Sequence, residues 1–577
     1  MSELPTSVSA EAIAWGTLLV VLVVASALTL IGSLLVLWRY RQAVAKAMRA
    51  NGIDSDVSST TVRHGAVVAG GAATAERAAP VEPVARTAAA GERADLFARA
   101  SAAPRIEVAC VAVAGVAYAA VLASAFLLAT PPARTPWRFA LTLWIDAWPI
   151  VVASALLTAS FARALATGAL FYALPLVVGS LVAVALPDSS DSAGSSLAAL
   201  QNTITPWIMA TLWLVFAAPP SAVLLLFLNP RLRAVSPLML AFAMVWIAGL
   251  MGAWLGFFAS PLKDLTIALA GATRGGWAGW LFLVAAIVFA IASSVAAAWL
   301  IVRWIRGATL AGTVSDRTLA VDALFLFFAT WYAMQFVLVG YAWLLTGVLA
   351  FVAYRIVVGA ARSLVRRRAR PLAPRGLVFL RVFALGARTS DLFAAVAKHW
   401  RRVGSMQLIA GPDLAQSTAQ PHQLLDFVSG RLSRHFIGDP TGAGAQLSDV
   451  ERAADRDGWY RVHSFFCRAD TWQAVLARMV AQGDVVLMDL RSFSAQNAGC
   501  EHELRYLVER VPLGRCVFVV DATTDDAHLQ ALLAQALGDL DEKSPNRGVR
   551  ADGIAVHPFT SGAAGLKPLL RRLCDAG

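Results

Sequence analysis

DVVLMDLRSFSAQNAGCEHELRYLVERVPLGRCVFVVDA, residues 484–522, sets two short apolar runs on either side of an amphipathic segment. DVVLMDL (Asp484 to Leu490) and RCVFVVDA (Arg515 to Ala522) are far too short to cross a bilayer, and neither alternates polar with apolar. They read as strands buried on both faces. Cys500 to Val511 between them reads as a helix, and strand, helix, strand at this spacing predicts a parallel crossover. The same texture extends outward in both directions. LVFLRVFAL (Leu377 to Leu385), MQLIAG (Met406 to Gly411) and GIAVHPF (Gly553 to Phe559) read as further buried strands. Asp391 to Val403, Gln423 to Phe436, Thr471 to Ala481 and Asp526 to Leu540 read as the helices between them. GWYRVHSFF (Gly458 to Phe466) adds a possible extra strand, which makes residues 412–482 an insertion in an otherwise minimal fold. Residues 375–577 are thus expected to form an α/β domain with a flavodoxin-like parallel sheet.

Upstream of this domain the chain changes character. Of its 577 residues 58% are hydrophobic and only 15% charged, against about 45–50% and about 25% in ordinary globular proteins, and mean hydropathy is +0.63. A hydrocarbon core about 30 Å thick needs about 20 apolar residues of helix, and nine such runs occur. They are Ile13 to Trp38, Val108 to Thr130, Phe139 to Ser160, Ala164 to Leu186, Pro206 to Leu228, Pro237 to Ala259, Trp277 to Val302, Leu319 to Val339 and Gly340 to Val358. The last two abut, and a hairpin near Gly340 fits the bilayer better than one helix of twice its thickness. The expected organisation is an anchor helix (1–38), a flexible Ala/Gly/Thr-rich loop (39–105) with a short helix around Ala94 to Ala100, an eight-helix membrane domain (106–360), an Arg-rich linker (361–374) and the α/β domain. The first run is longer than a cleavable signal core of about 7–15 residues and follows no basic segment, so it reads as an anchor.

Charge supports this division. The net charge is +12, but residues up to Pro374 carry 26 Lys and Arg against 15 Asp and Glu, whereas the remainder carries 23 against 22. The α/β domain therefore has no basic excess of the kind that phosphate backbones demand, which argues against a nucleic-acid partner. With the N-terminus outside, 22 basic residues of the membrane part fall on the cytoplasmic side and four, Arg134, Arg138, Lys263 and Arg274, on the other. This is the positive-inside pattern of a bacterial inner or plasma membrane, and nine crossings place the C-terminal domain in the cytoplasm.

Ligands of open parallel sheets bind beyond the carboxyl ends of the strands. Those ends supply Gly386, Arg388, Ser390, Gly411, Asp413, Asp489, Arg491, Ser492, Asn497, Asp521, Thr523 and His557. Arg388, Ser390, Asp413, Asp489, Ser492, Asn497 and Asp521 are the substrate-binding candidates, although Asp489 and Asp521 can equally serve only to end strands. In NAGCEHELRYL, Asn497 is positioned to cap the helix and Glu501 to pair with Arg505 four residues on. Glu503 then has no basic partner on its face. Near a helix N-terminus its carboxylate would be held ionised by the dipole and could stabilise developing positive charge.

C-x-x-E-L at Cys500 to Leu504, on the helix after the third strand of a β/α alternation that opens with FLRVF, resembles the TIR (Toll/interleukin-1 receptor-like) domain, over about residues 377–521. That family's signature has Trp where Gly499 stands here. The loop PDLAQSTAQPHQ lacks its usual glycine pattern, and the insertion is atypical. The resemblance implies a signalling or effector domain that either cleaves the nicotinamide glycosidic bond of NAD or works by self-association. In the first case Glu503 matches the catalytic glutamate, an anion beside an oxocarbenium-like ribose, with NAD as substrate rather than cofactor. In the second the domain is a non-catalytic scaffold at the bilayer.

Other signals are sparser. Five cysteines show no CxxC spacing or Cys/His cluster, so no metal site is expected. No glycine-rich phosphate loop follows any strand. Asp146, near the middle of LTLWIDAWPIVV and three residues before Pro149, is the one deep intramembrane acid, and intramembrane carboxylates are costly enough to suggest function. It motivates a third reading, a transporter or channel with a regulatory cytosolic tail. Asp322 lies near a helix end and is expected to reach water.

Overall fold

The computed structural model describes residues 10–50, 90–129, 136–158, 166–177, 277–336, 340–369, 371–381, 387–409, 421–437, 447, 452–467, 471–550, 554, 556–560 and 562–577, with isolated positions between 210 and 268. The chain divides into two compact units, Met1–Trp38 with Ile106–Arg368 and Arg39–Arg105 with Ala369–Gly577.

The first unit is helical. Its elements are α1 (Ala10–Ala50) as far as Trp38, α2 (Ala90–Ala129) from Ile106 on, α3 (Pro136–Asp146), α4 (Trp148–Thr158), α5 (Ala166–Val177), α6 (Trp277–Leu310), α7 (Asp316–Gln335) and α8 (Leu345–Arg368). Nine spans are not what this structure shows. Among the described residues three helices are long and apolar enough to cross a membrane, Gly91–Ala129, Pro136–Thr158 and Ala342–Arg368. Of the expected run from Ala164, the described part is the apolar helix α5, roughly 18 Å long, and the remainder lies outside the described residues. Helix α7 carries Asp316, Arg317 and Asp322 in its first two turns. The runs Ile13 to Trp38 and Trp277 to Val302 fall inside α1 and α6, whose side chains lie partly outside the described residues. Pro206 to Leu228 and Pro237 to Ala259 lie almost wholly outside them.

Helices α7 and α8 run antiparallel after a turn at Gly340. Gly347 allows the close approach, since a Cβ there would stand 2.6 Å from the Ala329 carbonyl oxygen, the small-residue packing that membrane helices use. Phe325 stacks on Tyr354 with ring centroids 4.1 Å apart. Among the described residues, Arg355 pairs with Asp322 and Arg362 with Glu107 across helices of this unit. Asp322 is buried against its arginine rather than reaching water, because the antiparallel register brings Arg355 opposite it.

The second unit is α/β. Its elements are β1 (Leu377–Arg381), α9 (Ala387–Trp400), β2 (Met406–Ile409), α10 (Pro421–Val428), β3 (Phe436–Ile437), β4 (Val462–Cys467), α11 (Trp472–Gln482), β5 (Val485–Asp489), α12 (Ala498–Arg510), β6 (Cys516–Val520), α13 (Asp526–Gly538), β7 (Val556–Pro558) and α14 (Ala563–Asp575). Seven strands form one sheet in the order β3-β4-β2-β1-β5-β6-β7, and every pairing is parallel. Without β3 and β4, which belong to the 412–482 insertion, the order is that of a doubly wound five-stranded sheet whose direction reverses between β1 and β5. The central strands β1, β2, β5 and β6 are buried on both faces, as their unbroken apolar runs require, whereas β7, expected to be buried as well, lies at the sheet edge and is only partly covered. Val378, Leu380, Val486, Met488, Phe518 and Val520 pack against α11, α12 and α13. On the other face Phe379 meets Phe393 of α9 edge-on, beside α14.

The ends of the expected flexible loop are not loop. Residues 39–50 continue α1 and residues 90–105 begin α2, both within the α/β unit. Tyr40 donates a hydrogen bond to Gln423 at 3.3 Å and sets its ring against Phe427. Arg571 lies over the Phe97 ring, and His399 Nδ1 is 2.9 Å from the Ala100 carbonyl oxygen. Residues 361–368 of the expected linker likewise continue α8.

Candidate functional site

Arg381 ends β1 and Asp489 ends β5, and the two are register partners, so together they mark the reversal point from which crossover helices leave to opposite faces. Asp489 is 0% exposed. A carboxylate so buried needs full compensation, and Arg491 two residues on supplies it. Its Nε and Nη2 each donate to Asp489 at 2.7 Å, the bidentate geometry that guanidinium favours. The Thr389 hydroxyl adds a contact at 3.5 Å. Arg491 also donates to the Arg388 carbonyl oxygen at 3.0 Å. Burial works to lower the Arg491 pKa, but the hydrogen bond and charge of Asp489 outweigh it and raise it.

Above this buried pair lies an open polar layer. Ser492 adopts φ 60, alone among described non-glycine residues in being left-handed, a conformation that costs energy and clusters at functional sites. Its Oγ lies 2.8 Å from the Thr523 hydroxyl and accepts from Arg388 Nη1 at 3.3 Å. Arg388, whose side chain is 49% exposed, forms its ion pair with Asp521. The Thr523 backbone N–H donates to Asp521 at 2.9 Å, while the Thr524 hydroxyl ties this turn to the Leu490 carbonyl at 3.0 Å. Desolvation pushes the Asp521 pKa up, but hydrogen bonds from Thr523 and the charges of Arg388 and Arg491 more than offset it and leave it lowered. The layer offers one accessible guanidinium and two hydroxyls, a set suited to an anionic, hydroxyl-bearing ligand.

The structure thus brings Arg388, Asp489, Ser492 and Asp521 together. Asn497 stays apart. Its side chain makes no cap hydrogen bond to α12 and instead accepts from the Ser494 N–H at 2.9 Å, because the loop turns its carbonyl backwards. Ser390 lies in α9 with its side chain outside the described residues, and Asp413, Gly386 and Gly411 lie outside them entirely. Thr389 and Arg381 went unnoticed in the sequence. An arginine ending an otherwise apolar strand was the available signal for the second.

Glu503 departs most from expectation. It is 1% exposed rather than on a helix surface, and its Oε2 has no hydrogen-bond partner among the described residues. Burial raises its pKa to about 8, with the Arg381 charge opposing, so at neutral pH the carboxyl is mostly protonated, not held ionised by the helix dipole. Desolvation wins because the residue lies well inside the core, where it exceeds a helix-end effect of about 0.3–1 kcal/mol. Glu501 does not pair with Arg505 either. It meets His528 Nε2 of α13 at 2.9 Å, and Arg505 donates to Gln535 at 3.0 Å. The Cys500 thiol is buried and donates to the Arg381 carbonyl at 3.5 Å. His557 in β7 is held below its ordinary pKa by burial and by Arg572. Among the described residues no cluster of His, Cys, Asp and Glu is placed to hold a metal ion. No protein-family model matches this chain, and neither a curated protein nor a solved structure is significantly similar to it.

Proposed function

We propose that this is a multi-pass membrane protein presenting a TIR-like α/β unit to the cytoplasm, where the crevice between β1 and β5 binds NAD or a related dinucleotide and drives signalling by self-association. The observation that carries the reading is the open layer of Arg388, Ser492, Thr523 and Asp521 over the buried Asp489–Arg491 pair. Arg388 would exchange Asp521 for a pyrophosphate oxygen, and the two hydroxyls would meet a ribose. Calorimetric titration of the full-length protein in nanodiscs with NAD tests this. Arg388→Ala should weaken binding by about tenfold or more, the loss of one charge-assisted hydrogen bond. Equal affinity in the parent and in Arg388→Ala would refute it.

A second reading, cleavage of the nicotinamide bond at Glu503, is favoured by that carboxyl's unpartnered oxygen close to the charge of Arg381. If the anion is the working form, NAD loss must rise as pH passes about 8 and vanish in Glu503→Gln. Undiminished loss in that variant would remove the enzymatic version while leaving binding intact.

A further inference from the structure

Helix α3 ends at Asp146 and α4 begins at Trp148, so the span Pro136–Thr158 breaks in its middle. The cause is Pro149. It lacks the N–H that would have bonded the Ile145 carbonyl one turn back, and inside a membrane a freed carbonyl must find another donor. Tyr332 of α7 provides it, its hydroxyl 3.3 Å from that oxygen. The break turns Asp146 inward, where it is 6% exposed, and its carboxyl makes no hydrogen bond or ion pair among the described residues. One turn along α2 from Gly115, where any Cβ would collide with Ile150 of α4, lies Tyr118. Its hydroxyl is fully buried and also without a partner among the described residues. The Asp146 carboxyl acts electrostatically on the hydroxyls of Tyr118 and Tyr332. Among the described residues no charged side chain of α2, α7 or α8 acts on it in return, since the arginines of α8 at 355 and 362 are matched by Asp322 and Glu107.

We propose that Asp146 is a proton-exchange site within the helical unit, its carboxylate taking one hydrogen ion from water and returning it, between the hydroxyls of Tyr118 and Tyr332. A carboxyl with no cation beside it can rest in this setting as the neutral acid, and the two hydroxyls can each donate a hydrogen bond to the anion when the proton leaves. The Ile145 carbonyl then loses its donor from Tyr332, so proton loss is coupled to the helix break. The site stands independently of the α/β unit and of any ligand there.

A lipid-soluble carbodiimide, which modifies carboxyl groups in their protonated form, tests this on the full-length protein in liposomes with peptide mass mapping. Asp146 should be labelled, with a rate falling about tenfold per pH unit above its midpoint, as the protonated fraction does. Tyr118→Phe, which keeps the ring packing, should shift that midpoint. Absence of label on Asp146 at every pH, a rate that does not change with pH, or a midpoint unmoved in Tyr118→Phe would overturn the proposal. Protection from labelling by sodium at constant pH would make this a cation site and overturn it equally.

Discussion

A single carboxyl shows how burial overrides local electrostatics. Glu503 titrates near 8 in the folded chain against 4.5 for a free carboxyl, so between those values the native state holds a proton that the unfolded state has released. Stability must therefore fall as pH rises through that window. Glu503→Gln should flatten the fall and leave the variant more stable than its parent above pH 8, which thermal unfolding at a series of pH values checks. Arg491 carries the opposite liability. Arg491→Ala would strand the fully buried Asp489 and should cost about 3–5 kcal/mol, seen as a lowered melting temperature of the α/β unit. From the sequence, Asp489, Arg388, Ser492 and Asp521 were legible as strand-end groups because their positions follow from strand boundaries alone. The partners of Glu501 and Glu503 were not, because they depend on how far α12 is rotated about its axis against α13. The i,i+4 spacing of Glu501 and Arg505 permits a pair; the nearby His528 and Gln535 of α13 take both.

Among elements, the strands were the most legible part, since DVVLMDL and RCVFVVDA have no reading as amphipathic helix, and the edge strand β3 the least, being two residues long. The extensions of α1 and α2 into the α/β unit were missed for a physical reason. The apolar run ending at Trp38 passes without a break into Tyr40, Val44 and Met48, which repeat at helical spacing and are all buried. Leu96, Ala100 and Ala103 repeat in the same way on α2. Both segments are consequently part of the domain's core. Tyr40→Ala should destabilise the α/β unit by about 3 kcal/mol or more, within the range for deleting a buried aromatic ring, and limited proteolysis of the full-length protein should show faster cleavage within that unit, around α10 whose Gln423 and Phe427 the ring contacts. Unchanged protease resistance would mean that α1 merely touches the unit. The span count failed in another way. Hydropathy registers how apolar a run is, not whether it holds one continuous helix: Phe139 to Ser160 is apolar almost throughout, yet its helix is interrupted between Asp146 and Trp148.

For the whole molecule, the division of charge carries the proposed orientation. Basic residues gather where the helices leave the apolar region, at Arg39, Arg41, Arg303, Arg306 and the run Arg366 to Arg368, while the α/β unit is nearly neutral. In the proposed orientation the α/β unit, with Arg388 open to solvent, would lie in the compartment that contains dinucleotides. A fused reporter tests this most directly. Joined after Gly577, alkaline phosphatase should be inactive and a green fluorescent protein bright in intact bacterial cells. An active phosphatase fusion with a dark fluorescent one would place the α/β unit on the far side of the membrane and contradict its proposed access to NAD.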